Sequence, residues 1–394
     1  MRAAVLRCRL CERTQALAPR AACTACHGPL DVDYDLSGAR LVPGNGSSPQ
    51  SMWRYADLLP HVPAESSSPG MTPLVPAPRL SQILGVELLL KLEGANPTHS
   101  FKDRLAATAV AAAEAFGFET VCCASTGNLA EAVAARCAAA GLEAVVLCPS
   151  EDLPLVPVQT YGARVFGVTG SFDDCCKLER ELEGLFPWGF VGGNLHAMAA
   201  EGAKTIAFEL AEQLGGLPDA VVLPVASGTL FAKLAQGFNE LVTLGAADGA
   251  SPRLYGAQAS GCPPLAAAWA EDRQPSRVRP DTEARSLAIG DPAYGELAVG
   301  AARMSGGAIH AVAEEQIAAH TGFLAELAGV PADSAGGVAV GALLELVRTG
   351  AIANGEQVVL VLTGSALEPY GDQDVLAAEE IGPDVDTLLA ALGV

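Results

Sequence analysis

The chain has 394 residues, 50% hydrophobic and 18% charged, enough for two or three substantial cores and too apolar for a long disordered tail. Its 24 Lys and Arg stand against 45 Asp and Glu, a formal charge of −21 that repels phosphate backbones and anionic bilayers, which disfavours nucleic-acid and membrane-surface binding. Residues 1–7 hold no apolar leader core, and the Ala-rich run 105–118 is interrupted by Glu114 and too short to span a bilayer, so the expectation is a soluble cytoplasmic protein.

The first element is a pair of hooks, Cys8-x2-Cys11 and Cys23-x2-Cys26, separated by 11 residues in a segment too small to fold on a core of its own. Two such turns supply the four thiolates of a tetrahedral zinc site. The connecting stretch is short and His27 stands beside Cys26, so two readings remain, structural zinc and a reduced vestige that binds nothing. The other seven of the 11 cysteines lie in apolar contexts and read as reduced core residues. Residues 41–70, rich in Pro, Gly and Ser around "MWRYADLLP", read as an irregular connection.

Beyond that point short β-rich runs alternate with helical patterns, the sign of parallel sheets covered by helices. The runs fall at 121–125, 144–148, 164–168, 190–193, 221–225, 254–257 and 358–363. Between them Cys175, Leu178, Leu182 and Leu185 share one helical face, as do Ile206, Leu210 and Leu214, and Leu230, Leu234, Phe238 and Leu241. The fold class is α/β, in two lobes with a cleft between them.

Four places carry side chains suited to chemistry. In "NPTHSFKDR", Pro97 and small hydroxyl residues delay the helix until about Phe101, so Lys102 lies in a first turn, where a cation opposes the helix dipole. That is either a solvated surface lysine or one needed as a neutral amine. "ASTGNLAEA" places Ser125, Thr126, Gly127 and Asn128 between a strand and a helix, where open α/β sheets bind ligands and where simple N-capping also occurs. "PVASGTLFAKL" follows another strand with Ala226, Ser227, Gly228 and Thr229, whose freed amides suit a phosphate. "VLVLTGSAL" ends the last β run on Thr363 and Gly364. Together these suit pyridoxal 5'-phosphate: a lysine for the aldehyde, amides for the phosphate, Asn for the phenolic oxygen and a hydroxyl for the ring nitrogen. A hydroxyl there does not hold the pyridine protonated as a carboxylate would, which favours elimination and replacement chemistry.

The chain resembles the threonine synthases of the tryptophan synthase β-like (fold type II) pyridoxal phosphate enzymes. The likeness runs through the two-CxxC start with "PLDVDYDL", then "MTPLVPAPRLSQILG", "LLLKLEGANPTHSFKDR", "ASTGNLAEAVAARCAAAG", "EGAKTIAFELAEQLG", "VASGTLFAKLAQGF" and "LTGSALEP". It implies Lys102 as the imine lysine and Asn128 as partner of the 3'-oxygen. It also implies Ala226, Ser227, Gly228 and Thr229 as the phosphate loop, Thr363 at the ring nitrogen, and Ser125, Thr126 and Gly127 around the substrate carboxylate. The expected organisation is a zinc-ribbon-like segment at 1–40, a connection at 41–70, a cofactor lobe from 71–95 and 196–394, and a smaller lobe at 96–195. A homodimer acting on a small amino acid is the family expectation.

Two departures bear on substrate. Relatives carry Gly where this chain has His99, which stands three residues from the lysine and is a candidate acid or base. Relatives also place a phosphate-gripping Arg at the position that spacing assigns to Ala199, leaving Asn194, His196 and Lys204 as partial substitutes. The resemblance gives O-phosphohomoserine to threonine as the default reaction, while His99 and Ala199 favour the alternative of β-replacement or a specialised-metabolism paralogue. The alternatives are a β-replacement synthase acting on a serine or homoserine derivative, or a binding protein without catalysis.

Overall fold

The structure, a computed structural model, describes residues 4–36, 50–63, 68–125, 127–153, 155–247, 249–366 and 379–393. The strands are β1 (Ala4–Cys8), β2 (Thr14–Ala16), β3 (Leu30–Tyr34), β4 (Leu74–Pro76), β5 (Glu87–Leu92), β6 (Thr120–Ala124), β7 (Glu143–Pro149), β8 (Arg164–Val168), β9 (Gly189–Phe190), β10 (Ala220–Pro224), β11 (Arg253–Ala259), β12 (Ala308–Val312), β13 (Gln357–Leu362) and β14 (Glu379–Ile381). The helices are α1 (Pro78–Leu84), α2 (Lys102–Phe116), α3 (Asn128–Ala140), α4 (Val156–Thr160), α5 (Phe172–Leu182), α6 (His196–Leu214), α7 (Thr229–Thr243), α8 (Pro264–Ala270), α9 (Gly295–Met304), α10 (Glu314–Ala328), α11 (Ser334–Arg348) and α12 (Val385–Leu392).

Among the described residues these strands make three sheets. A six-stranded sheet runs β12-β11-β10-β13-β5-β4, parallel except for β4. A five-stranded sheet runs β14-β8-β7-β6-β9 and is parallel throughout. The N-terminal hooks join a small antiparallel sheet, β2-β1-β3.

Parallel strands buried on both faces are apolar on both, and that is what their sequences supply. In the six-stranded sheet Val221, Leu223, Val359 and Val361 face α6, α7 and α9, while Val222, Val358 and Leu360 face α1, α10 and α11. In the other, Val121 and Cys123 face α2 and α3, and Cys122 and Ala124 face α5 and α12. Each buried Val or Leu among them contributes about 1.5–3 kcal/mol, and the smaller Cys and Ala less. Six of the seven expected β runs correspond to strands, and of 190–193 only Phe190 lies in one, β9, with 191–193 in turns. Leu185 departs from its expected face, being 59% exposed beyond the end of α5. Residues 379–393 also depart, since β14 pairs with β8 and so belongs with the sheet of the smaller lobe rather than with the rest of 196–394. Among the described residues no helix is long and apolar enough to cross a membrane.

The two lobes meet along α2 and α6, whose Ala-rich faces let the backbones approach closely. At Gly202 an added Cβ would run into the carbonyl oxygen of Arg104, so no other residue fits there without moving a helix. Across the same seam Arg104, fully buried, donates from Nε to Glu93 at 2.7 Å and from Nη2 to Glu93 at 2.7 Å and Glu209 at 2.8 Å. Lys91 completes the network, 2.7 Å from Glu209. Burial alone would raise the Glu209 pKa, but Arg104 and Lys91 more than offset it and hold the carboxyl well below the usual range. Removing the guanidinium as Arg104→Met leaves two carboxylates buried against one ammonium. The expected loss is about 3–5 kcal/mol in denaturant unfolding, and an unchanged midpoint would show that the network carries no stability.

Candidate active site

Three loops leave the carboxyl edge of adjacent strands. β10, β13 and β5 are neighbours in that order, and after them come residues 226–229, Thr363 and the lysine loop. Strands stand about 4.8 Å apart, so three loops distant in sequence are forced into one small region. Hydrogen bonds fasten them there. The Phe101 amide donates to the Thr363 carbonyl at 2.9 Å, Ser100 bridges Gly364, and the Ser365 amide donates to the His99 carbonyl at 3.2 Å.

Within the lysine loop the residues following Phe101 go separate ways. Asp103, buried, accepts from the Thr98 amide at 2.7 Å and its hydroxyl at 2.8 Å, which closes the loop on itself. Arg104 goes into the core as described. Lys102 is left with its amine 4.6 Å from the centre of the Phe101 ring. The chain has five lysines, and the other four lie against carboxylates: Lys91 on Glu209, Lys177 on Glu181, Lys204 on Glu201 and Glu240, and Lys233 on Asp31 and Glu201. Among the described residues no carboxylate pairs with Lys102. Burial therefore acts unopposed and lowers its pKa to about 8. Near neutrality about a tenth of this amine is neutral and nucleophilic, far more than in an ordinary lysine.

His99 adopts φ +59°, the left-handed region. Glycine enters that region freely and another residue at a cost of about 1–2 kcal/mol, which gives a backbone reason for Gly at this place. His99 is half-buried, with its amide bonded to the Asn96 carbonyl at 2.9 Å.

Around the lysine the remaining expected groups take these places. Gly228 has φ +83° and caps α7, and a Cβ on it would come within 2.7 Å of the Tyr294 carbonyl. Ser227 and Thr229 hydroxyls lie 3.0 Å apart beside it. The first amides of α7 thus open onto a cradle with no side chain from Gly228 to fill it, and Ala226 leads into it from β10. Asn128 begins α3 and is exposed, its Nδ2 reaching to 3.6 Å from where a Gly364 Cβ would stand. This brings the turn of the smaller lobe against the end of β13. Ser125 is buried and accepts from the Ala130 amide at 3.1 Å and the Gly127 amide at 3.4 Å. Thr126 lies outside the described residues. Asp333, at the N-terminus of α11, also faces Gly364, and burial raises its pKa.

Three expected substrate contacts stand elsewhere in the packing. Asn194 accepts from the Phe190 amide at 2.8 Å and donates to the Trp188 carbonyl at 3.1 Å. Lys204 is fully buried between Glu201 and Glu240, with the Tyr34 ring 3.9 Å away. His196 stacks loosely on Tyr294, ring centres 5.5 Å apart. Ala199 is 3% exposed in the α2–α6 seam, its carbonyl accepting from Thr108 at 2.9 Å, so its side chain faces helix and not ligand.

The hooks bring Cys8, Cys11, Cys23 and Cys26 together, all four sulfurs within 4.8 Å of one another. They form matched turns: the Glu12 amide donates to the Cys8 carbonyl and the His27 amide to the Cys23 carbonyl, each at 3.0 Å, with φ +56° and +57°. Cys8 and Cys26 sulfurs are 3.4 Å apart and Cys11 and Cys23 3.8 Å. Zinc–sulfur bonds of about 2.3 Å at tetrahedral angles place sulfurs about 3.8 Å apart, so the donor set fits that ion.

The profile of a family described as "Pyridoxal-phosphate dependent enzyme" matches residues 66–364. A threonine synthase of Methanosarcina acetivorans is 37% identical over 360 residues, covering 88% of this chain and 87% of that one. A threonine synthase of Methanocaldococcus jannaschii is 34% identical over 391 residues, covering 95% of each. Among solved structures, maize serine racemase shares the fold with a TM-score of 0.64 at 20% identity, over 76% of this chain and 91% of that one.

A pKa near 8 has a kinetic signature. Capture of pyridoxal phosphate by the cofactor-free chain is expected to speed up as pH rises through about 8, where the amine loses its proton, and then to level off. Stopped-flow absorbance reads this rate. Continued acceleration to pH 10.5 would mean an ordinary exposed lysine, and capture by Lys102→Ala at the wild-type rate would remove the residue from the site.

Proposed function

We propose, from the premise that this chain belongs to the threonine synthase-like branch of the pyridoxal-phosphate dependent enzymes, that it converts O-phosphohomoserine into threonine. The observation that carries the reading is the unpaired amine of Lys102 at the joint edge of β5, β13 and β10. A protein that only bound amino acids would have no use for it.

When bound, pyridoxal phosphate supplies an aldehyde for amines and a ring that draws electrons from the substrate carbons. Residues 226–229 would hold its phosphate through backbone amides and the Ser227 and Thr229 hydroxyls, Thr363 would meet the ring nitrogen and Asn128 the 3'-oxygen. Ser125, Thr126 and Gly127 would orient the substrate carboxylate. Lys102 would be the base that takes the substrate's α-proton and carries it onward. His99 would give or take a proton at the leaving group. Burial at the start of α2 lowers the pKa of the lysine amine, so more of it is neutral near pH 7 than in an ordinary lysine.

His99 also supports a second reading, β-replacement on a serine derivative, because it stands at a loop position whose backbone suits Gly. Assays of phosphate release from O-phosphohomoserine and O-phosphoserine, and of acetate release from O-acetylserine, separate the two. Turnover of the homoserine ester with threonine as product is expected. Turnover of a serine ester alone would replace the first reading with the second.

The four hook cysteines are assigned one structural zinc. Metal analysis is expected to give one zinc per chain and well under half in Cys11→Ser, and a metal-free wild-type chain would remove the assignment. All 11 cysteines are unpaired, which suits the reducing cytoplasm, where we place a homodimer.

A further inference from the structure

The N-terminal sheet does more than sit on the catalytic lobe. Asp31, the second residue of β3, accepts hydrogen bonds from the Tyr294 hydroxyl and from the Lys233 ammonium, each at 2.9 Å. Arg9, between Cys8 and Cys11 of the first hook, lays its guanidinium 4.3 Å from the centre of the Tyr294 ring and stands 3.7 Å from Asp31. Tyr294 is fully buried. Its amide donates to the Ser227 carbonyl at 2.9 Å, and its carbonyl closes over the face of Gly228. Lys233 lies one helical turn beyond Thr229 on α7 and also binds Glu201 at 2.6 Å. Both flanks of residues 226–229, the strand side through Tyr294 and the helix side through Lys233, therefore converge on one carboxylate carried by the N-terminal unit.

From this convergence we infer that Asp31 is a positioning residue for the phosphate cradle: it holds the Tyr294 phenol, and Tyr294 in turn fixes the backbone of Ser227 and Gly228 at the spacing that receives the phosphate of pyridoxal 5'-phosphate. The inference rests on the reading of residues 226–229 as the phosphate site. Backbone amides bind an oxyanion well only when pre-aligned, and a shift of a few tenths of an ångström at Gly228 misdirects them together. Contacts with the rest of the cofactor, at Lys102, Asn128 and Thr363, lie on other loops and do not pass through Tyr294.

The test compares pyridoxal 5'-phosphate with pyridoxal, which lacks the phosphate, by absorbance titration of the full-length chain. Asp31→Asn keeps shape and one acceptor but loses the charge, and Tyr294→Phe loses the hydroxyl. Each is expected to raise the dissociation constant for the phosphorylated form about tenfold while leaving pyridoxal unchanged. The double variant is expected to be no worse than the worse single one, because both act through the same bond. Unchanged affinity in a folded Asp31→Asn chain, equal weakening of both compounds, or full additivity would overturn the assignment. A Ser227→Ala/Thr229→Val chain serves as the control for the underlying reading. If it keeps the wild-type preference for the phosphorylated form, residues 226–229 are not the phosphate site and the inference falls with them. If it loses that preference while Asp31→Asn does not, the cradle stands and only the role of Asp31 fails.

Discussion

Arg104 buries its guanidinium between Glu93, just beyond the end of β5, and Glu209, midway along α6, and the position of Lys102 follows from that arrangement. With Lys91 the network has two cations and two carboxylates, so it closes on itself electrically. A buried ion cluster is weak evidence of stability, since desolvation offsets much of the attraction. Its value here is geometric. A helix turn cannot rotate or slide while a planar fork two residues further on is bound on both sides. Lys102 is consequently held at the start of α2, where among the described residues no carboxylate pairs with its amine and burial keeps its pKa low.

The same separation of roles explains how a chain of formal charge −21 holds an anionic cofactor. Net charge acts at a distance and is screened within about 10 Å, whereas helix-start amides such as those proposed to form the cradle at residues 226–229 act only at contact. The charged side chains near it, Lys233 and Asp31, are paired with each other and serve the shape of the loop. The proposed site thus gathers neutral dipoles around one amine of lowered pKa, beside two networks of paired charges.

Local chemistry was legible in the sequence, and long-range pairing was not. Strand-end turns such as 125–128 and 226–229 announce themselves by small and hydroxyl residues between an apolar run and an Ala-rich helix, and the CxxC spacing announces a four-sulfur cluster. The order β10-β13-β5 joins segments hundreds of residues apart, and β5 itself escapes notice because Lys91 interrupts its apolar run. Lys204 and Asn194 look like available polar groups until the structure shows Glu201, Glu240 and the Trp188 carbonyl beside them. Ala199 looks like a lost arginine until α6 is seen to turn that position into the helix seam. Asp31 and Tyr294 are separated by 263 residues, and no local pattern links them. One signal was available and unused: with only five lysines in the chain, few candidates exist for the reactive amine.

That scarcity makes the central claim directly measurable. Borohydride reduction of the cofactor-saturated protein, followed by proteolysis and mass spectrometry, places the cofactor mass on one lysine-bearing peptide. This account requires that mass on the peptide holding Lys102 and on none of those holding Lys91, Lys177, Lys204 or Lys233. A reduced cofactor on any of those four, or an unmodified Lys102 in saturated protein, would contradict it.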